Sequence, residues 1–161
     1  MTATRMTPPN DPLDILIVED EVLLAVELGF IVREAGCREV GHAMSSTEAV
    51  QLAEALHPDL ALVDVHLRDG PTGIDVARRI AKDCGGVALF MTANVKRLPD
   101  DLAGACGVIG KPYSENAVRA AISYLRVCLR KGLAPGLPPL GLTLSPQFAR
   151  RWGLGDLPQA M

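Results

Sequence analysis

The sequence lacks the cluster of basic residues that a nucleic-acid-binding surface needs. Its formal net charge is -3 over 161 residues. The basic residues are scattered, apart from Arg126, Arg130 and Lys131 near the end of a predicted helix and the pair Arg150–Arg151. Because binding to a phosphate backbone depends on clustered positive charge, this distribution argues against nucleic acid as a partner.

Closely spaced cysteines and long apolar runs are absent as well. No short metal-ligand spacing occurs among the four cysteines, which are Cys37, Cys84, Cys106 and Cys128. We interpret them as buried free thiols, as is typical of a reducing compartment. Residues 1–12 are rich in proline but hold no secretion signal, and no apolar stretch is long enough to span a membrane. We therefore expect a cytoplasmic protein without membrane contact, with a flexible tail at residues 1–12.

The sequence does contain short apolar segments that alternate with helical patterns. Its length allows one domain plus tails. Five strands are predicted at residues 13–18, 39–44, 60–63, 87–91 and 108–110, of which 39–44 has the weakest pattern, and helices at 21–35, 45–56, 74–84 and 114–130. This alternation, without hairpin signals, predicts an α/β fold with a doubly wound parallel sheet and helices on both faces. Pro99 and Gly104 interrupt the region 94–107, so we expect a short or irregular fourth helix there.

Polar residues follow four of these strands, at the edge where ligands bind in parallel α/β sheets. They are Glu19–Asp20, Asp64, Thr92 and Lys111. Each has a simpler interpretation when taken alone: acidic residues favour helix N-termini, and a single Asp can cap a loop. Four chemically complementary sites at four strand ends are harder to explain in that way, and they predict one functional site.

These residue types fit phosphoryl transfer to a carboxylate. A carboxylate can attack a phosphoryl group and form an acyl phosphate, but the incoming group is negative and needs a cation beside it. Glu19, Asp20 and Asp64, with a backbone carbonyl at His66, would supply oxygen ligands for Mg²⁺. The ammonium group of Lys111 and the hydroxyl group of Thr92 would contact the phosphoryl oxygens.

Glu19–Asp20, Asp64 in Leu-Val-Asp-Val-His-Leu, Thr92–Ala93 and Lys111–Pro112 resemble the receiver domain of bacterial two-component response regulators. The resemblance covers about residues 13–131. It implies a flavodoxin-like five-stranded sheet of order 2-1-3-4-5. It also implies that a sensor histidine kinase or a histidine phosphotransfer protein phosphorylates Asp64 in a Mg²⁺-dependent step. Thr92 would be the switch hydroxyl, Lys111 would pair with the phosphoryl group, and the Lys111–Pro112 peptide bond would be cis.

The sequence departs from the receiver pattern in two places. Receivers usually carry Tyr or Phe three residues before the lysine, where this chain has Val108. The span from Thr92 to Lys111 is also a few residues short, which agrees with the poor helical pattern. We therefore hypothesise that phosphorylation orders or shifts residues 94–107. His66 and Asn94 would flank the path of a hydrolytic water and set the lifetime of the phosphorylated state.

Two enzyme classes fit the sequence less well. Haloacid-dehalogenase phosphatases need a second Asp two residues after the nucleophile, where this chain has His66. A P-loop needs Ser or Thr after Lys111, but Pro112 follows, and Ala105 takes the place of the first Gly. We expect no conventional enzyme, but a phosphoacceptor that catalyses its own phosphorylation and dephosphorylation. A docking module that takes no phosphate is a further alternative.

Residues 132–161 form a Pro/Gly-rich extension in which we predict no output domain. Only residues 145–152 could form a helical turn, with Phe148 and Trp152 on one face. This tail either folds back on the receiver, docks a partner or stays disordered. The prediction is a single-domain response regulator that acts as a phosphorelay intermediate or a phosphate sink. The alternative is a phospho-dependent switch that binds a target protein through the 94–113 face or the tail, and a homodimer is left open.

Overall fold

A central parallel sheet with helices on both faces organises the computed structural model, which describes residues 11–155. The strands are β1 (Asp14–Val18), β2 (Arg38–Ala43), β3 (Leu60–Val63), β4 (Val87–Thr92), β5 (Gly107–Gly110) and β6 (Leu142–Leu144). The helices are α1 (Val22–Glu34), α2 (Ser46–Leu56), α3 (Gly73–Arg79), α4 (Glu115–Lys131) and α5 (Pro146–Arg151). The predicted α/β class is confirmed.

The first five strands run parallel in the order β2-β1-β3-β4-β5, as predicted. Side chains alternate between the two sheet faces, and each face carries its own apolar cluster. One cluster joins Ile17, Leu62 and Met91 to α1 and α4, and the other joins Val18, Val63 and Phe90 to α2 and α3. Because both faces are covered, the central strands are continuous apolar runs. Polar side chains are therefore confined to the ends of these strands.

The region 94–107 was predicted to hold a short or irregular fourth helix, and it is irregular to the point that it forms no α-helix. It contains two 3-10 turns, Val95–Arg97 and Leu102–Gly104, and the backbone between them passes through Pro99. Leu102 and Ala103 have φ angles of 49° and 52°, a region that L-residues rarely adopt. The preceding helix is also irregular, because α3 changes into a π-helical turn at Ile80–Cys84. The predicted helix at 74–84 is therefore only partly α-helical.

A sixth strand, which the sequence did not predict, extends the sheet. β6 pairs with β5 in antiparallel orientation. After β6, the N–H group of Ser145 donates to the carbonyl oxygen of Cys106 at 2.8 Å. The Phe148 and Trp152 rings of the tail are both buried, with centroids 5.1 Å apart. Of the three alternatives for the tail, its described part takes the first and folds back on the domain.

Most of the predicted N-terminal tail, residues 1–10, lies outside the described residues, as do residues 156–161. The carbonyl oxygens of Asp11 and Pro12 accept hydrogen bonds from Arg130. The four cysteines are free and buried, as predicted. Within the described part of the chain, no helix is long and apolar enough to cross a membrane.

The β5–β6 pair depends on a glycine. A Cβ atom at Gly107 would lie 2.4 Å from the carbonyl oxygen of Thr143, so any side chain there would push the two strands apart. We predict that Gly107→Ala lowers the free energy of unfolding by about 1–3 kcal/mol, the usual cost of overpacking. Urea denaturation followed by Trp152 fluorescence would measure the change.

The matched control is Gly136→Ala, because a Cβ atom there would meet nothing within 4 Å. Its effect should stay within about 0.5 kcal/mol. Equal stability of the two variants would contradict the close β5–β6 contact.

Candidate functional site

Four strand ends bring the predicted site residues into one cleft of about 280 Å³. The cleft lies at the carboxyl edge of the sheet, where β1, β3, β4 and β5 end. Its lining residues are Asp20, Glu21, Asp64, His66, Thr92, Ala93, Asn94 and Lys111. Glu19 lies beneath them with 2% of its side chain exposed. The geometry thus brings together side chains that are up to 92 residues apart in sequence.

A shared ammonium group holds two of the carboxylates together. Lys111 Nζ lies 3.0 Å from Glu19 Oε1 and 3.2 Å from Asp64 Oδ2. Side-chain exposures are 20% for Lys111 and 13% for Asp64. The backbone N–H group of Lys111 donates to the carbonyl oxygen of Thr92 at 2.8 Å. Lys111 is therefore held both at its backbone and at its ammonium group. The ammonium group can also be shared with a third negative group.

The carboxylates are also placed to hold a metal ion. Single oxygen atoms of Glu19, Asp20 and Asp64 all lie within 4.8 Å of one another. Hard oxygen ligands of this kind fit Mg²⁺. Three carboxylates face one ammonium group, so the cluster is net negative when all of them are ionised. A divalent cation would balance that excess, and the residues present therefore fit the predicted Mg²⁺ site.

Burial has a clear effect on the protonation of the cluster. Desolvation by burial, with a smaller contribution from the negative charge of Asp64, raises the pKa of Glu19 to about 7, although the hydrogen bond from Lys111 opposes this shift. Desolvation alone would lower the pKa of Lys111, but its hydrogen bond to Glu19 and the charge of Asp64 raise it instead. Without a metal ion, the buried carboxylate therefore accepts a proton more readily than an ordinary Glu.

Thr92 presents its hydroxyl group from the end of β4. Its side chain is buried, and Oγ1 accepts a hydrogen bond from the backbone N–H group of Asn94 at 3.1 Å. The hydroxyl hydrogen can therefore point to an acceptor in the cleft. Asn94 and His66 also line the cleft, as expected for residues that flank a water path. The ligand role of the His66 backbone carbonyl stays a prediction.

Three residues that shape the site were missed by sequence reasoning. A Cβ atom at Gly73 would lie 2.0 Å from the backbone carbonyl oxygen of Asp64, so only glycine lets α3 begin this close to the backbone of Asp64. The His42 ring lies 2.7 Å from the carbonyl oxygen of Glu19 and fixes the end of β1 against β2. Tyr113 lies beside Lys111 in an adjoining groove. Gly73 follows a loop that contains another glycine, Gly70, and His42 and Tyr113 carry no distinctive spacing, so the sequence held no signal for these three residues.

Known proteins share this fold and this order of residues. A family model described as "Response regulator receiver domain" matches residues 15–123. The phyllosphere-induced regulator PhyR of Methylorubrum extorquens is 37% identical over 112 residues, which cover 68% of this chain and 42% of that protein. The transcriptional regulatory protein PdtaR of Mycobacterium tuberculosis is 38% identical over 126 residues, 71% of this chain and 59% of that protein. The chain thus spans about half the length of the curated relatives it matches.

A solved structure supports the same relationship. The crystal structure of a protein described as the anti-anti-sigma factor PhyR, from Bartonella quintana, superposes with a TM-score of 0.62 at 30% sequence identity. The alignment covers 76% of this chain and 49% of that one. The family match ends at residue 123, before β6 and α5.

The carboxylate cluster generates a prediction about metal binding. Asp20→Asn removes one negative ligand without touching the Lys111 ion pairs. We predict that it weakens Mg²⁺ binding about tenfold or more, since even the loss of an outer-shell partner costs about ten- to a hundredfold. Isothermal titration calorimetry of the purified chain would measure both affinities.

Asp69→Asn is the matched control, because it removes the same charge from the loop after β3. Asp69 hydrogen-bonds Ser46 and Thr72 rather than the cluster, so Mg²⁺ affinity should be unchanged. An Asp20→Asn variant that binds Mg²⁺ as the wild type does would exclude Asp20 as a ligand.

Proposed function

The chain belongs to the response regulator receiver domain family, and within that family we propose that it accepts a phosphoryl group on Asp64 from a phosphohistidine donor. The donor would be a sensor histidine kinase or a histidine phosphotransfer protein. The observation that carries the proposal is the position of Asp64, which shares one ammonium group with Glu19 and one potential metal site with Glu19 and Asp20. A carboxylate placed in this way meets the requirements of a phosphoacceptor.

The side chains divide the transfer step among them. A carboxylate oxygen of Asp64 attacks phosphorus, the bond from phosphorus to the imidazole nitrogen breaks, and that nitrogen keeps the electron pair. Glu19, Asp20 and Asp64, with the backbone carbonyl of His66, would hold Mg²⁺, which when bound supplies positive charge to the phosphoryl oxygens. Lys111 turns from Asp64 to one phosphoryl oxygen, and the Thr92 hydroxyl donates to another.

Loss of the phosphoryl group needs only a water molecule. Attack of water on phosphorus returns Asp64 to a carboxylate and releases inorganic phosphate. His66 and Asn94 line the same cleft as Asp64, so they would set how freely water reaches it. We propose that the chain catalyses its own phosphorylation and dephosphorylation in this way in the cytoplasm, and that it is not a conventional enzyme.

Helix α1 offers the donor protein a surface beside the cleft. Val22, Leu23, Val26 and Phe30 are between 52% and 85% exposed, and α1 begins directly after Glu21 at the cleft rim. A patch of exposed apolar side chains is typical of a protein–protein contact. Because a donor must bring its phosphohistidine to Asp64, it has to touch this rim. We propose that α1 receives an apolar helix face of the donor.

We propose the role of phosphorelay intermediate or phosphate sink. Residues 132–155, which follow α4, contain β6 and α5 and pack in the same apolar cluster as α4. They form no separate output unit. A phospho-dependent switch is the second candidate, and one observation favours it. The segment that follows Thr92 contains two non-glycine residues with positive φ, Leu102 and Ala103, which is a conformation that such residues rarely adopt, and we propose that this segment rearranges when Thr92 moves. The relative described as an anti-anti-sigma factor suggests a protein target for such a switch.

Phosphotransfer to an isosteric variant tests the proposal. Wild-type chain and Asp64→Asn would be mixed with phosphorylated histidine kinases, or with phosphoramidate, in the presence of Mg²⁺, and the label would be followed with time. Asp64→Asn keeps the shape but cannot form an acyl phosphate, so only the wild type should be labelled. Asp59→Asn is the control, since Asp59 bonds Arg130 at the opposite sheet edge and should be labelled as the wild type is.

The lifetime of the label separates the two candidate roles. Loss within minutes, or onward transfer to a second histidine, supports a relay or sink, whereas a label that persists for hours favours the switch. A wild type that takes no label from any donor would contradict the phosphoacceptor function and leave a docking module.

The α1 surface gives a separate prediction. Leu23 is 85% exposed, so Leu23→Glu should leave the fold intact while it places a charge in the apolar contact. We predict that transfer from a histidine kinase slows at least several-fold, whereas labelling by phosphoramidate is unchanged. Leu140→Glu, at a leucine that is 95% exposed in the tail, should slow neither reaction. Equal slowing with both donors would place the defect in the site rather than in docking.

A further inference from the structure

The hydroxyl group of Tyr113 is buried without a hydrogen-bond partner among the described residues. The chain has only one other tyrosine, Tyr124, and its hydroxyl donates to the carbonyl oxygen of Gly136 at 2.7 Å. Leaving a buried hydroxyl unpaired costs free energy, and phenylalanine would avoid that cost. An unpaired hydroxyl in native packing therefore needs an explanation, and a partner that is available only in another state of the protein is one.

The position of Tyr113 connects it to the phosphoacceptor site. Tyr113 lines an apolar groove of about 420 Å³ together with Leu24, Glu27, Ala93 and Lys111. The groove shares Ala93 and Lys111 with the cleft that contains Asp64. The charged groups that act on the hydroxyl are Lys111, Glu19, Glu27 and Asp64, and burial raises the pKa of Tyr113 to about 12. At neutral pH the group is therefore a protonated donor beside the lysine.

No aromatic side chain takes the place that receivers normally give one. Val108 occupies that place, and it packs with Leu98 and Ala103 in the apolar cluster on the face of α2 and α3. Tyr113 packs against the other cluster, on the face of α1 and α4. Within the part of the chain that the structure describes, Tyr113 is the aromatic residue that lines the groove beside Lys111.

We propose that Tyr113 is a positioning residue for Lys111, and that its hydroxyl gains the carboxylate of Glu27 as acceptor when Lys111 moves to a phosphoryl group on Asp64. This inference rests on the proposed function. In the unphosphorylated state Lys111 is held by Glu19 and Asp64, and the Tyr113 hydroxyl has no acceptor among the described residues although Glu27 lines the same groove. Once Lys111 turns toward the phosphoryl oxygens, the tyrosine can close the groove onto α1. The ring then keeps Lys111 from returning.

A double-mutant cycle with a phosphoryl analogue tests the proposal. The chain and its variants Tyr113→Phe, Glu27→Ala and the double mutant would be titrated with beryllium trifluoride in the presence of Mg²⁺, and unfolding would be measured without either. Each single change should weaken binding of the analogue about threefold to tenfold, as expected for one hydrogen bond. The double mutant should bind no more weakly than the single variants. Without ligand, Tyr113→Phe should be as stable as the wild type or more stable.

Tyr124→Phe is the control, because it removes a paired hydroxyl remote from the cleft. It should lower the unfolding temperature and leave analogue binding unchanged. Suppose that the wild type binds the analogue, but that Tyr113→Phe does not weaken this binding or that the effects of the two single changes are additive. Either result would overturn the role of Tyr113 and leave the proposed function intact. A wild type that neither binds the analogue nor accepts phosphate would overturn both this inference and the proposed function.

Discussion

The site depends on the ion pairs that the ammonium group of Lys111 forms with Glu19 and Asp64. Two carboxylates, one of them almost fully buried, converge on this group at 3.0 and 3.2 Å. Burying carboxylates without a counter-charge would be strongly unfavourable. One ammonium group cannot balance three carboxylates, so the cluster keeps a net negative charge. This net charge favours binding of a divalent ion, and the bound ion would in turn attract a phosphoryl group.

The fold supplies the geometry that this interaction needs. The carboxyl ends of parallel strands lie along one edge of a sheet, which brings Glu19, Asp64 and Lys111 together from three strands. The strand β5, which ends directly before Lys111, would be an edge strand in a five-stranded sheet, and edge strands are open to unwanted pairing. β6 covers that edge, and the buried rings of Phe148 and Trp152 hold it there. The tail is thus part of the support for the lysine.

Much of the fold and of the site could be predicted from the sequence, because both depend on short local patterns. Short apolar runs predicted the five parallel strands, and the polar residues at the ends of four of them predicted the site. The sixth strand could not be predicted, since a three-residue strand at Leu142–Leu144 follows a Pro/Gly-rich segment and gains its stability from β5 rather than from its own pattern. Gly73 was missed for a similar reason. Its importance comes from the carbonyl oxygen of Asp64, a neighbour that only the folded chain reveals.

The two departures from the usual receiver sequence meet in one apolar cluster. The short segment after Thr92 contributes Leu98 and Ala103 to this cluster, and Val108 of β5 packs with them. The backbone of this segment passes through positive φ at Leu102 and Ala103, and strained residues of this kind cluster in switch regions. Movement that begins at Thr92 would therefore pass into residues 94–104 more readily than into β5, which the tail holds on its other side.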